Sequence, residues 1–298
     1  MSAIASALDP RLKSVLVATD FSETSQKPLR HALAIARHYG AKLYLAHVVS
    51  SLGFTLAGAD ALNAATEAAK RDAHHLETRL VESGALAGLH HEFIIGQGAV
   101  WEVLNRIIRQ EQVDLIVNGT HGRRALRKVL LGSVAEQIFR YADCMVFTVG
   151  PGSYQESRVD DLLPNRTFLF PTDFTEASLH ALPYAISYAN QFGAKLVLLH
   201  VVHTSATPKS LLHRASLQRL EELTLKSTLK VRPEFVVEFC PAGPISEKIL
   251  ETAENLNVDL IVMGLRRSKY VEAASHVPWA TAYEVVCGAG CPVVTVRR

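Results

Sequence analysis

Val15–Val49 reads VLVATDFSETSQKPLRHALAIARHYGAKLYLAHVV, and Phe168–Val202 reads FLFPTDFTEASLHALPYAISYANQFGAKLVLLHVV. The two stretches align without a gap, and 17 of their 35 positions are identical. A repeat of this kind settles the architecture before any single motif is weighed. Val113–Gly119 (VDLIVNG) pairs in the same way with Val258–Gly264 (VDLIVMG), and Cys144–Val149 (CMVFTV) pairs with Cys291–Val296 (CPVVTV). The chain therefore reads as two copies, residues 1–150 and 164–298. The polar stretch 151–163 (PGSYQESRVDDLL) is the expected linker.

Composition agrees with two domains. The 298 residues carry a formal net charge of +2, 48% hydrophobic and 20% charged residues, and four cysteines. Domains commonly run to about 100–200 residues, so two is the prior. The apolar fraction excludes wholesale disorder. The near-zero charge argues against a dedicated nucleic-acid binder, which would concentrate a basic field. Four cysteines are too few for a disulfide scaffold. Met1–Pro10 lacks the basic and apolar regions of a secretory signal. No apolar run approaches the 18 or so residues of a membrane span. A cytoplasmic protein with no membrane and no nucleic-acid partner is expected.

Each copy gives the same coarse order. A short apolar strand (Val15–Ala18; Phe168–Phe170) ends near Thr-Asp. A helix follows (Glu23–Tyr39; Glu176–Phe192), stopped by Gly40 or Gly193, where a left-handed residue is wanted. Strands are expected at Lys42–Val49 and Lys195–Val202, and long helices near Asp60–Ser83 and Pro208–Ser227. Then come strands Leu89–Ile95 and Pro233–Phe239, helices after Gly98 and Gly243, and strands Leu115–Val117 and Leu260–Val262. A loop, a short helix and a last strand (Met145–Val149; Val293–Arg297) close each copy. Apolar, β-branched strands alternating with helices imply a parallel sheet covered on both faces, which is a doubly wound α/β domain. Ligands of such sheets sit outside the C-terminal strand ends, at the switch point.

Several residues of the first copy fall at those ends. Asp20 follows the first strand and Val48 closes the second. After the fourth strand come Gly119-Thr120-His121-Gly122, nine residues, and Gly132-Ser133-Val134 opening a helix. Glycines at 119 and 122 let backbone N–H groups approach an anion. A helix opening at Gly132-Ser133 offers free N–H groups and a favourable dipole to phosphate. Asp20 could accept from ribose hydroxyls, and backbone near Val48 could read an adenine edge. Arg123, Arg124, Arg127 and Lys128 could neutralise phosphate charge. Each feature also has an ordinary reading. Glycines are common in turns, Asp20 with Glu23 resembles a capping box, and the basic run fits a solvated loop.

The spacing Gly119-x2-Gly122-x9-Gly132-Ser133 resembles the ATP-binding universal stress proteins. The flanking TDFSETS, GAKLYLAHVV, VDLIVNG and NGTHGRRALRKVLLGSVAEQIFRYADCMVFTV are similar to that family too. The resemblance covers nearly the whole chain, twice. It implies a tandem member with two five-stranded, adenine nucleotide alpha hydrolase-like domains of strand order 3-2-1-4-5. It implies an ATP site, with or without Mg, made of Ala18, Asp20, Val48, Gly119, Gly122, Gly132, Ser133 and Val134. It also implies last strands that pair, here as an intramolecular pseudo-dimer, with a further homodimer left open.

The second copy departs from the pattern. It keeps Asp173 and Val201, but Arg267 stands where the second glycine should be. Neither Val277-Pro278 nor Trp279-Ala280 supplies the Gly-Ser pair. Weak or absent ATP binding is expected there, although Arg266, Arg267 and Lys269 could hold another anion. Cys287, Cys291, Cys240 and His276 fall short of a zinc pattern. The matched His47 and His200 read as hydrogen-bonded core residues. Walker A, SGGxDS, HIGH and KMSKS motifs are all missing from the sequence. A stress-response regulatory module is therefore the first reading. Slow ATP hydrolysis, with Asp20 as the acidic candidate, and a nucleotide-independent interaction protein remain alternatives.

Overall fold

A computed structural model describes residues 12–51, 58–120, 131–150, 166–205, 209–225, 227–266 and 279–297. They fall into two compact units, one within Arg11–Pro151 and one within Gly152–Arg298. In the first, β1 (Ser14–Ala18), α1 (Glu23–Tyr39), β2 (Lys42–Ser50), α2 (Gly58–Glu82), β3 (His91–Gly98), α3 (Val100–Gln110), β4 (Leu115–Gly119), α4 (Ser133–Tyr141) and β5 (Met145–Val149) follow in order. The strands lie as β3-β2-β1-β4-β5, all parallel. In the second unit, β6 (Thr167–Pro171), α5 (Glu176–His180), α6 (Leu182–Phe192), β7 (Lys195–His203), α7 (Lys209–Thr224), β8 (Glu234–Cys240), α8 (Ile245–Asn255), β9 (Leu260–Leu265), α9 (Trp279–Gly288) and β10 (Val293–Arg297) give β8-β7-β6-β9-β10, again parallel. Each unit thus has the doubly wound form that the strand pattern implied and the 3-2-1-4-5 order that the resemblance implied.

Central strands explain the apolar runs. Val15, Leu16 and Val17 in β1, and Leu169 and Phe170 in β6, are fully buried. Strands covered on both faces need such residues at every position. The face bearing Leu16, Ala46, Ile116 and Val146 shares one core with Val103, Leu104, Ile107 and Ile108 of α3 and Ile138 of α4. The α3 sequence VWEVLNRIIRQ places those four apolar residues as two adjacent pairs one turn apart, on one side of the helix.

The aspartates of the repeated VDLIV segments tie each first strand to its fourth. Asp114 Oδ2 accepts from the N–H groups of Lys13 (2.7 Å) and Ser14 (3.1 Å), and Asp259 Oδ2 accepts from the Thr167 N–H (2.8 Å). Each carboxylate satisfies donors at a strand start, where the ladder has not yet begun.

Some boundaries differ from the expected ones. The helix expected over Glu176–Phe192 breaks at Ala181 into α5 and α6. Pro183 cannot donate to the carbonyl four residues back, and its ring crowds that carbonyl. The chain restarts with Pro183 in the first turn of α6, where proline is tolerated. Strand β3 begins at His91 rather than Leu89, because Leu89 closes a turn onto Leu86 (N···O 3.0 Å). It continues to Gly98, beside Ser50. Helices α2 and α7 are shifted by one to three residues at their ends. Gly40 and Gly193 stop α1 and α6 in the left-handed conformation, at φ 63° and 58°.

Gly264, in β9, has a packing role of its own. A Cβ there would come within 2.0 Å of the Ala177 carbonyl oxygen and 2.7 Å of Ser178 Cα, both backbone atoms of α5. Gly264→Ala should therefore push α5 off the sheet and destabilise the second unit by about 1–3 kcal/mol, as overpacking does. Chemical denaturation read on that unit measures the loss; a change within error would show that α5 has room to give.

Candidate functional site

The winding of the first sheet reverses between β1 and β4, and the start of α4 is tied to the end of β4. Ala18 ends β1 beside Ala46, and Val48 lies two residues further along β2, beside Gly96 of β3. Ala18, Val48 and Val134 pack on the same core cluster, so three of the expected site residues share one face. Gly119 is the last residue of β4, paired with Val149. The Thr120 N–H donates to the Val149 carbonyl (3.1 Å), and the Gly132 N–H donates to the Thr120 carbonyl (2.8 Å). The two ends of the loop are therefore held together. Gly132 is the N-cap of α4 and brings no side chain to the first-turn N–H groups. Ser133, the first helical residue, is exposed. Gly122, His121, Arg123, Arg124, Arg127 and Lys128 lie outside the described residues.

Asp20 stands just after β1, but it does not form a capping box with Glu23. Phe21 adopts a left-handed backbone (φ 60°), and Ser22 is the N-cap of α1. Asp20 Oδ1 accepts from the Ser22 N–H (3.0 Å) and from the Ser22 hydroxyl. This is an Asx-type turn that holds the chain between strand and helix. Thr19 Oγ1 accepts from the Phe21 N–H at 3.0 Å.

The second unit copies this turn atom for atom. Phe174 has φ 61°, and Asp173 Oδ1 accepts from the Thr175 N–H (3.0 Å) and hydroxyl (2.6 Å). Burial pushes the Asp173 carboxyl up; hydrogen bonds led by Thr175 outweigh it and leave the group below the usual carboxylate range.

The matched histidines brace these turns. His47 Nδ1 lies 2.8 Å from the Thr19 carbonyl and its ring stacks on Phe21 at 4.6 Å. His200 Nδ1 lies 2.8 Å from the Thr172 carbonyl, and its ring meets Phe174 at 4.5 Å. Because each Nδ1 faces a carbonyl oxygen, it carries the proton and donates. The Arg219 guanidinium covers Phe174 at 4.0 Å. The two histidines act as hydrogen-bonded structural residues, as their matched positions suggested. Among the described residues no group of three or more His, Cys, Asp or Glu is placed to hold a metal ion; His276 lies outside them. Burial pushes the Cys144 and Cys291 thiols up to about 12, so neither is a ready nucleophile.

The remaining second-copy positions differ from the first. Val201 lies beside Glu238, where Val48 lies beside Gly96. Arg266 is exposed at the end of β9. Arg267, Lys269 and Val277-Pro278 are outside the described residues, and Trp279-Ala280 open α9.

The model of the universal stress protein family matches residues 11–150 and again 164–297. The chain belongs to that family. A universal stress protein of Methanocaldococcus jannaschii is 30% identical over 143 residues, covering 46% of this chain and 81% of the relative. A crystal structure of a universal stress protein from Archaeoglobus fulgidus is similar over 96% of this chain and 98% of its own, with TM-score 0.69 and 20% identity, a likeness of fold. A universal stress protein solved in complex with cAMP is similar over 47% of this chain and 97% of its own, at 25% identity and TM-score 0.33. Among the described residues of this universal stress protein, no helix is long and apolar enough to cross a membrane.

Sequence reading missed Asn118, Thr19 and Phe21. Asn118 is 4% exposed in a strand that is otherwise apolar or glycine. A polar side chain inside VDLIVNG was the available signal.

Burial, with the Arg219 charge behind it, holds the His200 imidazole below its usual pKa. The unfolded chain then takes up this proton more readily than the folded one. Stability contributed by neutral His200 is present above the ordinary histidine value and falls as pH drops through it. The denaturation midpoint of the second unit should therefore fall between about pH 7.5 and about pH 5.5. His200→Asn, which can keep the donor to Thr172, should flatten that slope; an unchanged slope would assign it to other groups.

Proposed function

We propose that this universal stress protein binds ATP in its first domain as a regulatory, stress-response nucleotide module, and binds ATP weakly or not at all in its second. One observation carries the reading: Ala18 and Gly119 end the two adjacent strands between which the first sheet reverses its winding, Asp20 follows β1, Val48 lies near the end of β2, and Gly132, Ser133 and Val134 open α4. Open α/β sheets take ligands at that place. The donor set fits a nucleotide. The first turn of α4 offers backbone N–H groups behind a glycine cap, and its dipole favours phosphate. The Ser133 hydroxyl adds a donor, Asp20 an acceptor for ribose hydroxyls, and Val48 an apolar contact for a base. Gly122 completes the motif in sequence.

Three observations support weak binding in the second domain. Glu238 brings a carboxylate beside Val201, Met263 replaces Asn118, and Gly264 is accounted for by the close approach of α5. The sequence repeat supports reading the two family domains as an internal pseudo-dimer, so light scattering should give a mass of one chain. Two chains would mean that a further homodimer forms.

Nucleotide released by acid from the purified chain should be ATP, at close to one per chain. Gly132→Trp should abolish it by filling the start of α4. Two ATP per chain would overturn the inequality of the domains. No bound nucleotide and no ATP-dependent thermal shift would favour the nucleotide-independent interaction protein.

Asp20→Asn separates the two roles of that residue. Asparagine keeps the Oδ1 acceptor for Ser22 but not its charge, so the first domain should lose only about 1 kcal/mol of stability. ATP affinity should fall about tenfold with the loss of a charged acceptor. Steady turnover of ATP by the wild type, lost in Asp20→Asn, would instead favour a weak ATPase.

A further inference from the structure

Asn118 and Thr148 are opposed residues of β4 and β5, 4% and 2% exposed. The Thr148 hydroxyl donates to Asn118 Oδ1 at 3.3 Å, and Asn118 Nδ2 donates to the Gly119 carbonyl at 3.3 Å. Side chains alternate along a strand, so Asn118 shares a face with Ile116, and Thr148 with Val146. Ile116 and Val146 belong to the core cluster on which Ala18, Val48 and Val134 pack. The pair therefore lies on the site's own face, toward the C-terminal strand ends.

The peptide unit joining Gly119 and Thr120 is rigid and planar. Its carbonyl is held by Asn118 and its N–H by the Val149 carbonyl. Held at both polar groups, that plane resists rotation. The next carbonyl, of Thr120, receives the Gly132 N–H. The direction in which the chain leaves β4 and the place where it returns to open α4 are thereby fixed together.

The repeat supplies the comparison. Met263 and Thr295 occupy the matched positions of the second domain and are again opposed, on β9 and β10. Threonine is kept, but its amide partner is gone. Thr295 is 1% exposed, and its hydroxyl has no hydrogen-bond partner among the described residues. The domain that lacks the second glycine and the Gly-Ser pair is also the one that lacks this asparagine.

We propose that Asn118 is a positioning residue for the two described ends of the nucleotide site's glycine segment, Gly119-Thr120 and Gly132, acting through the Gly119–Thr120 peptide and seated by Thr148. The inference rests on the ATP reading of that site. It deepens that reading by tying loop competence to a buried amide that touches no nucleotide. Preorganised donors spare a ligand the cost of ordering them, so the benefit falls on the phosphates rather than on the base.

The test uses the full chain and two variants. Asn118→Leu removes the amide at similar size. Thr148→Val leaves the amide without its donor and serves if the first variant folds poorly. Without nucleotide, the amides of Thr120 and Gly132 should exchange about tenfold faster in Asn118→Leu, while those of the second domain keep their rates. By calorimetry the affinity for ATP should fall about tenfold and that for adenosine by less than about twofold. Thr148→Val should give the same split, smaller. Unchanged exchange at Thr120 and Gly132 overturns the proposal whatever the wild type does with ATP. Equal losses for ATP and adenosine overturn it too, leaving Asn118 a role in stability alone. A wild type that binds no ATP defeats the functional reading instead, and the exchange rates then decide the role of Asn118.

Discussion

Everything in each domain hangs on its central strand, β1 or β6, hydrogen-bonded to a parallel neighbour on both sides and covered on both faces. Such a strand has no solvent-facing positions, so its side chains must be apolar and its backbone groups must be paired laterally. Parallel neighbours need right-handed crossovers, and the winding must reverse once to cover both faces. In the first domain that reversal falls between β1 and β4. The chain therefore leaves the sheet in opposite directions at Ala18 and Gly119, and the ends of two adjacent strands part. A crevice at that point is a consequence of the winding. The side chains that line it decide what it can hold.

The two domains show how far a common frame leaves those side chains free. The Asp114 and Asp259 ties, the left-handed Phe21 and Phe174, and the His47 and His200 braces recur in both. Recurrence in a domain that lacks the glycine spacing shows that these belong to the frame. Gly264 makes the same point from the other side. It matches Gly119 in sequence, and the Ala177 carbonyl alone would require it. A surviving glycine is then no witness to a phosphate. The informative differences are Asn118 against Met263 and the altered residues after β9; Gly96, like Gly264, is required by packing, since a Cβ there would lie 2.4 Å from Val103 Cγ1.

Much of the fold was legible in the sequence, for a physical reason. Strands buried on both faces write themselves as short apolar runs, and helices ending in left-handed glycines mark their own stops at Gly40 and Gly193. The repeat doubled each signal. The break at Ala181 was less visible, since a proline near a helix start and one that restarts a helix look alike in sequence. For the site, the order of strands and helices set Asp20, Val48, Gly119, Gly132 and Ser133 at or near element ends of the first domain, and the family resemblance added Ala18 and Val134; their role toward a nucleotide is a proposal. It could not find Asn118, whose importance depends on register. Only the pairing of β4 with β5 sets Thr148 opposite it. Nor could spacing distinguish a capping box from an Asx turn at Asp20, because the two differ in which backbone N–H the carboxylate receives, and here it is that of Ser22, beyond the left-handed Phe21.

That last difference bears on how the aspartate should be understood. In both domains one carboxylate oxygen receives the N–H and hydroxyl of the residue two positions on, and the ring of the intervening phenylalanine is braced by a histidine from the neighbouring strand. A charged acceptor suits this place, since it gathers two donors at once beside the start of a helix whose dipole favours negative charge. The turn is thus sufficient reason for Asp173, in a domain where the phosphate spacing is lost. For Asp20 it means that the proposed contact with a ligand and the direction of the chain would share one side chain. A nucleotide ribose at this crevice would meet a carboxylate already oriented by the turn. Its position is fixed in advance by Ser22 and Phe21 rather than acquired on binding.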